Sequence, residues 1–179
     1  MKRFYLFTFL TRKMHLTGWV AFLPFTLFPL ALALATTYPK LTLETQLERA
    51  EVITRAMIKE VKREERNKRP WTVYLLENKQ YWRGEGLLPK TLETPSFAVY
   101  GNEKIRLEGA PNFKVGTEWI FLLYTKNYDS PIVGFNQGAY QLEGNAVLDV
   151  GGKAVQLEGK PATRVTFIAA VEKILGVVK

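Results

Sequence analysis

Residues 50–65, AEVITRAMIKEVKREE, decide the fold, because this segment is compatible with two different secondary structures. Its β-branched residues, beginning with Val52 and Ile53, favour a strand. Its apolar residues, together with Leu47, are also spaced like one face of an amphipathic helix. Periodicity alone therefore leaves the segment open between strand and helix.

The chain after this segment shows the short apolar runs and glycine punctuation of antiparallel strands. Strands are predicted at 71–82, 97–100, 105–107, 119–124, 132–135 and 139–142, and a charged turn is predicted at 62–69. Gly151-Gly152 is predicted to form a two-residue turn that joins strands at 147–150 and 153–157 into a hairpin. This pattern predicts a small antiparallel barrel or sandwich.

Two helices are predicted at the ends of this β region. Thr42 is a suitable N-cap for a short helix that contains Leu43 and Leu47. Residues 163–177 have apolar side chains at three- and four-residue spacing, with Gly176 near the end, which predicts an amphipathic helix. The predicted fold class is mainly β, with a short N-terminal helix and a C-terminal amphipathic helix.

The first 35 residues have the organisation of a secretory signal. Residues 1–13 carry four basic residues and no acid, residues 14–35 carry no charge, and Ala33 and Ala35 form a small-residue cleavage site. Cleavage there leaves residues 36–179 as one exported domain, periplasmic or extracellular. The alternative is that residues 14–35 stay in the inner membrane as an anchor for an outward-facing domain, since such a run can span about 30 Å of hydrocarbon.

The remaining 144 residues contain neither cysteine nor histidine, because the single histidine, His15, belongs to the leader. This excludes disulfides, thiol catalysis, zinc fingers and serine–histidine triads from the exported domain. Four of the 25 basic residues lie in the leader and all 17 acidic residues follow it, so the net charge falls from +8 to +4. We therefore predict no enzyme activity and no catalytic, cofactor or metal site, and the charge argues against nucleic acid as the partner.

A basic stretch followed by tryptophans supplies the candidate binding face. Its residues are Lys62, Arg63, Arg66, Lys68, Arg69, Trp71 and Trp82. Cations beside aromatic rings are typical of polyanion-binding surfaces in OB-folds. The alternative interpretation is a solvated turn in which Glu60, Glu64 and Glu65 neutralise these cations.

Three blocks of the chain together resemble a family of exported bacterial proteins of uncharacterised function. They are residues 50–65 followed by residues 71–86 (WTVYLLENKQYWRGEG), residues 109–124 (GAPNFKVGTEWIFLLY) and residues 132–147 (IVGFNQGAYQLEGNAV). The first strand of that family in turn resembles netrin-like domains, the OB-fold shared with tissue inhibitors of metalloproteinases. The resemblance implies a strand at 51–61 and an OB-like barrel.

The chain departs from that family pattern at several positions. Ala56 stands where the first strand has glycine, and Arg83-Gly84 replaces a Lys-Gly pair. The netrin-like inhibitors chelate their target's metal through an N-terminal cysteine, and this chain has no cysteine. The inhibitory mechanism therefore does not transfer.

These observations predict an exported, non-enzymatic domain that binds a protein or polysaccharide of the cell envelope. Two alternatives remain. One is a membrane-anchored structural or assembly factor of the envelope. The other is a carboxylate-dependent glycan hydrolase, which would need two of the acidic side chains in one cleft.

Overall fold

The computed structural model describes residues 38–105, 107–126 and 128–177. The predicted leader, with the cleavage residues Ala33 and Ala35, lies outside the described residues. Among the described residues, no helix combines the length and the apolar character that crossing a bilayer requires.

Two helices flank a β region in chain order. The elements are α1 (Leu43–Arg49), β1 (Val52–Arg66), β2 (Arg69–Arg83), β3 (Lys90–Thr91), β4 (Thr94–Tyr100), β5 (Glu118–Leu123), β6 (Ala139–Glu143), β7 (Ala146–Leu148), β8 (Gln156–Leu157), β9 (Lys160–Pro161) and α2 (Arg164–Leu175). The predicted fold class, mainly β with a helix at each end of the β region, is confirmed.

Seven strands form one antiparallel sheet in the order β3-β4-β2-β1-β5-β6-β7, and β8 and β9 form a separate hairpin. Strand pairing among the described residues does not close this sheet into a barrel, because β3 and β7 each pair with one neighbour. Two contacts nevertheless connect β4 and β5 through the loop between β5 and β6. The Tyr100 N–H donates to the Asp129 carbonyl at 2.6 Å, and Ile132 forms a β-bridge with Leu123.

The ambiguous segment is a strand, and its irregularity explains the helix-like pattern. β1 pairs with β2 along its length and with β5 over residues 52–57. Its pairing with β2 shifts register between Ile53 and Thr54, between Arg55 and Ala56, and between Ile58 and Glu60. Each bulge breaks the two-residue alternation of a strand, so the apolar positions drift towards helical spacing.

The sheet buries a core on each face, as the apolar β5 sequence predicts. Phe121 belongs to one core, which also contains the aromatic rings of Tyr74, Phe97, Phe113 and Trp119. Its neighbour Ile120 belongs to the other core, beneath α1 and α2. Both faces of β5 are therefore shielded from water.

The predicted helix ends are confirmed. The Thr42 side chain accepts from the N–H of Thr45 at the start of α1. Thr163 and Thr166 form a reciprocal capping box at the start of α2, and Gly176 ends that helix in a left-handed conformation.

The junction between α1 and β1 is fixed by the last residues of β2. Arg83 Nη1 donates to the carbonyls of Leu47 and Ala50, both at 2.8 Å, and so binds the carbonyl end of α1. Gly84 has a φ of +71°, and a Cβ placed on it would lie 2.4 Å from the Glu51 carbonyl oxygen. No other residue fits there without movement of the backbone.

Several predicted turns and strands are wrong. The predicted turn at 62–69 is only Asn67-Lys68, whose positive φ values suit a tight hairpin turn, and β1 and β2 extend up to it. No strand covers Ile105, Leu107 or residues 132–135. The predicted hairpin around Gly151-Gly152 is present in part, since Leu148 and Ala154 form an antiparallel bridge, whereas residues 156–157 pair with residues 160–161. Its turn is wider than two residues, because Asp149 and Lys153 bond to each other around residues 150–152: the Asp149 N–H donates to the Lys153 carbonyl at 2.8 Å and the Asp149 side chain accepts the Lys153 N–H at 2.9 Å.

Candidate functional site

The predicted binding face divides between the two faces of the β1–β2 hairpin. Directly opposed residues of antiparallel strands lie on the same face. Lys62 opposes Val73 and Arg66 opposes Arg69, so these residues and Trp71 share one face of the hairpin. Trp71 also contacts Tyr100 of β4 edge-to-face, with ring centroids 5.7 Å apart.

The other three predicted residues are placed elsewhere. Arg63 opposes Thr72 on the reverse face, and Lys68 lies in the turn. Trp82 lies eleven residues from Trp71 along β2, roughly 35 Å for an extended strand. Its indole packs against the core beneath the helices and donates to Glu172 Oε1 of α2 at 3.2 Å. Trp82 thus has a packing role, and the structure does not bring it to the hairpin tip.

Ion pairs occupy three of the five predicted cations. Arg66 binds Glu64 through two nitrogens, at 2.8 and 3.0 Å, and Arg63 binds Glu103. Lys62 is 3.7 Å from Glu60. Lys68 and Arg69 form no ion pair with the described residues.

A groove lies beside this hairpin tip, and we call it the tip groove. Its floor includes Val73, which is buried, and Ala98 of β4. Its charged and aromatic lining residues are Arg66, Arg69, Lys90, Lys126, Asp129, Trp71, Phe97, Tyr124 and Tyr128. The volume is about 680 Å³, within the range of about 300–1,000 Å³ that is usual for ligand sites.

One wall of the tip groove is the loop that follows β5, and the structure holds this wall from two sides. On one side, the Asp129 carbonyl accepts the hydrogen bond from the Tyr100 N–H of β4. On the other side, Glu51 accepts hydrogen bonds from the Thr125 hydroxyl and, at 2.6 Å, from the Thr125 N–H. These two hydrogen bonds hold the pKa of Glu51 below its ordinary value, and the nearby charge of Lys126 lowers it further. The wall is therefore positioned without a ligand.

This wall supplies groove residues that the predicted face did not include. Lys126 forms no ion pair with the described residues, and Tyr128 is 47% exposed. Tyr124 contacts Tyr128 edge-to-face, with centroids 5.4 Å apart. The sequence does show a lysine between two tyrosines, Tyr124 and Tyr128, in a short turn. No local sequence pattern indicates that this turn lies next to β2.

The charge of the tip groove is positive. Four of its lining residues are cationic and one, Asp129, is a carboxylate. Arg66 and Lys90 each have a glutamate partner, Glu64 and Glu93, the latter at 4.0 Å. Arg69 and Lys126 therefore carry the cationic character that is available to a ligand.

A second cavity adjoins the tip groove, and we call it the side depression. It has a volume of about 580 Å³. Its polar lining consists of Asn78, Lys79, Gln80, Tyr81, Glu85 and Lys90. Leu88 and Lys90 line both cavities.

A charge triad on the helix side of the sheet has a structural role. Glu118 of β5 lies between Arg55 Nε at 2.6 Å and Arg164 Nη2 at 2.5 Å. Partial burial alone would raise the pKa of Glu118, but the two arginines outweigh this effect and hold the pKa below its ordinary value. The triad joins β1, β5 and the first turn of α2.

Residues 38–41, the first that the structure describes, form a strap. The strap binds the loop that runs from Ile132 to the start of β6. The Gln137 amide accepts from the Leu41 N–H at 2.8 Å and donates to the Pro39 carbonyl at 3.0 Å. The Tyr38 ring stacks on Phe135 with centroids 5.1 Å apart. Both partners belong to the third block of the family resemblance.

No family model, curated protein or solved structure matches this chain. Within residues 38–105, 107–126 and 128–177, no three acidic side chains converge as ligands for a metal ion. The tip groove is therefore assessed on its own chemistry.

Proposed function

We propose that this protein is an exported, non-enzymatic domain that binds an anionic polysaccharide of the cell envelope in the tip groove. The observation that carries the proposal is the placement of Arg69 and Lys126, which have no ion-pair partner among the described residues, beside the rings of Trp71 and Tyr128. Cations attract the acidic groups of such a polymer, and aromatic faces pack against its sugar rings.

The local structure supports this ligand class. The groove is open to solvent, and residues of β2 and β4 contribute to its lining, so a polymer chain can enter and leave it. Its two sides are held by strand pairing and by the hydrogen bonds of the wall, so binding requires little rearrangement of the backbone. Preorganisation of this kind raises affinity by lowering the entropy lost on association.

We also propose that the sheet is related to an OB-fold. In that fold, the strand that follows the first long hairpin meets the last strand of the barrel. Here the Tyr100–Asp129 hydrogen bond and the Leu123–Ile132 bridge give β4 and β5 a shared neighbour in the loop at 129–132. OB-folds bind polymers on the corresponding surface, which agrees with the position of the tip groove.

The test compares the double charge reversal R69E/K126E with K153E/K160E, which makes the same net change at exposed lysines outside the groove. The probe is heparin, and uncharged dextran is the negative control. We expect R69E/K126E to weaken heparin binding at least about tenfold, with a smaller salt dependence, because two charge contacts are lost. Equal effects of the two double variants would show that heparin senses only net charge, and would overturn the proposal.

Two further measurements test the two alternative functions. A hydrolase would shorten an anionic glycan during incubation, and the D129N variant would abolish this turnover if the groove carboxylate took part. Intact mass of the protein from the membrane fraction distinguishes a retained anchor from a cleaved leader. Stable binding without turnover, by a protein that begins at residue 36, is the expected result.

A further inference from the structure

We propose that the outer edge of the β1–β2 hairpin pairs with the same edge of a second copy of this chain, so that two sheets join across a two-fold axis. This edge consists of residues 60–66 of β1, and we call it the dimer edge. The inference concerns self-association and goes beyond the proposed function, because it does not depend on any ligand.

The dimer edge has no strand partner among the described residues. β5 pairs with β1 only over residues 52–57, and two backbone hydrogen bonds of 2.9 Å continue this contact from Ile58 to Thr117 and Gly116. Beyond this point, residues 60–66 pair with β2 without a register shift, and each of them is exposed or half-buried. A regular, unpaired edge of this kind is a template for another strand.

The geometry of the hairpin determines which backbone groups point away from β2. The Pro70 carbonyl accepts from the Gly101 N–H at 2.9 Å, just after β4, so Glu65 and Pro70 are a pair that exchanges no hydrogen bond within the hairpin. Because the two kinds of pair alternate along antiparallel strands, Val61 and Arg63 are placed in the same way. The N–H and C=O groups of Val61, Arg63 and Glu65 therefore point outwards, towards a second strand.

One two-fold register uses all of these outward groups. In an isologous contact, two opposed residues of one copy face each other's counterparts in the second copy. When Arg63 lies on the axis, it opposes the partner's Arg63, and Val61 opposes the partner's Glu65. A shift of the axis by one residue in either direction leaves Val61 or Glu65 without an opposed partner.

The same register matches the charges on one face of the dimer edge, which we call the charged face. Glu60 opposes the partner's Arg66, Lys62 opposes the partner's Glu64, and the symmetry repeats both contacts. Within one copy, Lys62 lies 3.7 Å from Glu60 and Arg66 lies 2.8 Å from Glu64, so the two copies together form a checkerboard of charges. Opposite charges directly across antiparallel strands stabilise their pairing, and like charges destabilise it. A shift of the axis by one residue would oppose Glu60 to Glu64 or Lys62 to Arg66.

One contact between like charges remains, at the axis, and the fold neutralises it. Arg63 of each copy binds Glu103 of its own copy. The partner's Glu65 also lies diagonally across from Arg63, within reach of a long side chain. The axis therefore brings together two arginines that each have a carboxylate partner.

The first experiment exchanges the charges of the charged face. K62E/R66E makes this face wholly acidic, and E60K/E64K makes it wholly basic. Neither variant should dimerise alone, because like charges then face each other across the axis. A 1:1 mixture of the two variants should form a heterodimer, which also verifies that both variants are folded.

The measurement is sedimentation velocity of the chain in the form that cells produce. Protein concentrations run from about 1 to about 500 µM, because an edge contact is small and its dimer is expected to be weak. We expect the wild type to dimerise within this range, and each double variant alone to do so at least about tenfold more weakly. K153E/K160E makes the same charge change as K62E/R66E at exposed lysines outside the dimer edge, and it should dimerise like the wild type.

The second experiment determines the register, and it exploits the absence of cysteine from the chain. R63C places two thiols at the axis, where opposed Cα atoms about 5.5 Å apart suit a disulfide. E65C is the matched control, because the partner's residue 65 lies about 13 Å further along the strand from the position that faces it. Under mild oxidation, R63C should form a covalent dimer at least about tenfold faster than E65C.

Three results would overturn the inference. These are a wild type that stays monomeric at every concentration, as expected if the charges serve only to protect the edge; charge-exchanged variants that do not associate when mixed; and equal rates of cross-linking for R63C and E65C. None of these results bears on the difference in heparin binding between R69E/K126E and K153E/K160E. The proposed function therefore stands or falls separately.

Discussion

Replacement of Gly84 by alanine tests how tightly the end of β2 is packed against the α1–β1 junction. Gly86, two residues later, provides a matched control. Both glycines have a positive φ, +71° and +81°. A Cβ on Gly84 meets the Glu51 carbonyl oxygen at 2.4 Å, whereas a Cβ on Gly86 meets nothing within 4 Å.

Both substitutions therefore place an alanine in a left-handed conformation, but only G84A also creates a steric clash. The left-handed conformation costs an alanine about 1–2 kcal/mol, partly offset by about 0.4–1 kcal/mol because alanine restricts the unfolded chain. We expect G86A to lose roughly 1 kcal/mol on this account alone. G84A also forces Glu51 to move, although its N–H is bonded to the Leu123 carbonyl at 2.9 Å and its neighbour Val52 is fully buried. Overpacking of this kind adds roughly 2 kcal/mol, for a total of about 3 kcal/mol.

The measurement is urea unfolding of the wild type, G84A and G86A, followed by circular dichroism at equal protein concentration. The difference in unfolding free energy between the two variants is the decisive quantity, because the shared conformational term cancels. Equal losses for G84A and G86A would refute the proposed packing of Gly84 against the Glu51 carbonyl.

Three further predictions concern stability. Because the pKa of Glu118 is lowered in the folded state, ionised Glu118 stabilises the fold at pH values above about 4.5, and this contribution is lost as the pH falls through the folded pKa. The free energy of urea unfolding should therefore fall less steeply between pH 5 and pH 3 in E118Q than in the wild type. Y140F should cost about 1–2 kcal/mol in urea unfolding, since the Tyr140 hydroxyl donates to Gln46 at 2.7 Å in a buried site and the Gln46 oxygen would lose this donor. Q137A should release the strap, seen as faster amide exchange at residue 41, whereas Q156A on the surface should leave that exchange unchanged.

The helices were predictable because their signals are local. Thr42, Thr163 and Gly176 act on backbone groups within one turn of their own positions. The sequence of β1 gave no comparable signal. Its three register shifts depend on its pairing with β2, and they shift the apolar residues away from strict alternation.

The candidate site was predictable in part, for the same physical reason. Arg69 and Trp71 are close in the chain and lie on one strand face, so the sequence identified them together. Trp82 was predicted to lie with them because it is also a tryptophan. However, it lies at the opposite end of β2 from Trp71, and an extended strand keeps its two ends far apart. Lys126 was missed because the contacts that bring its loop to β4 link residues 29 positions apart, and no local pattern encodes them.

The strap bound to Gln137 bears on the order in which the chain folds. The β1–β2 hairpin closes through a two-residue turn, so its contacts are local and entropically inexpensive. The Leu41–Gln137 contact joins residues 96 positions apart, so its loop-closure cost is larger than that of the hairpin. We therefore expect the strap to attach after the hairpin has formed. Until that step is complete, Tyr38 and its neighbours remain accessible as an extended chain to any enzyme or chaperone that acts on the N-terminal side of the domain.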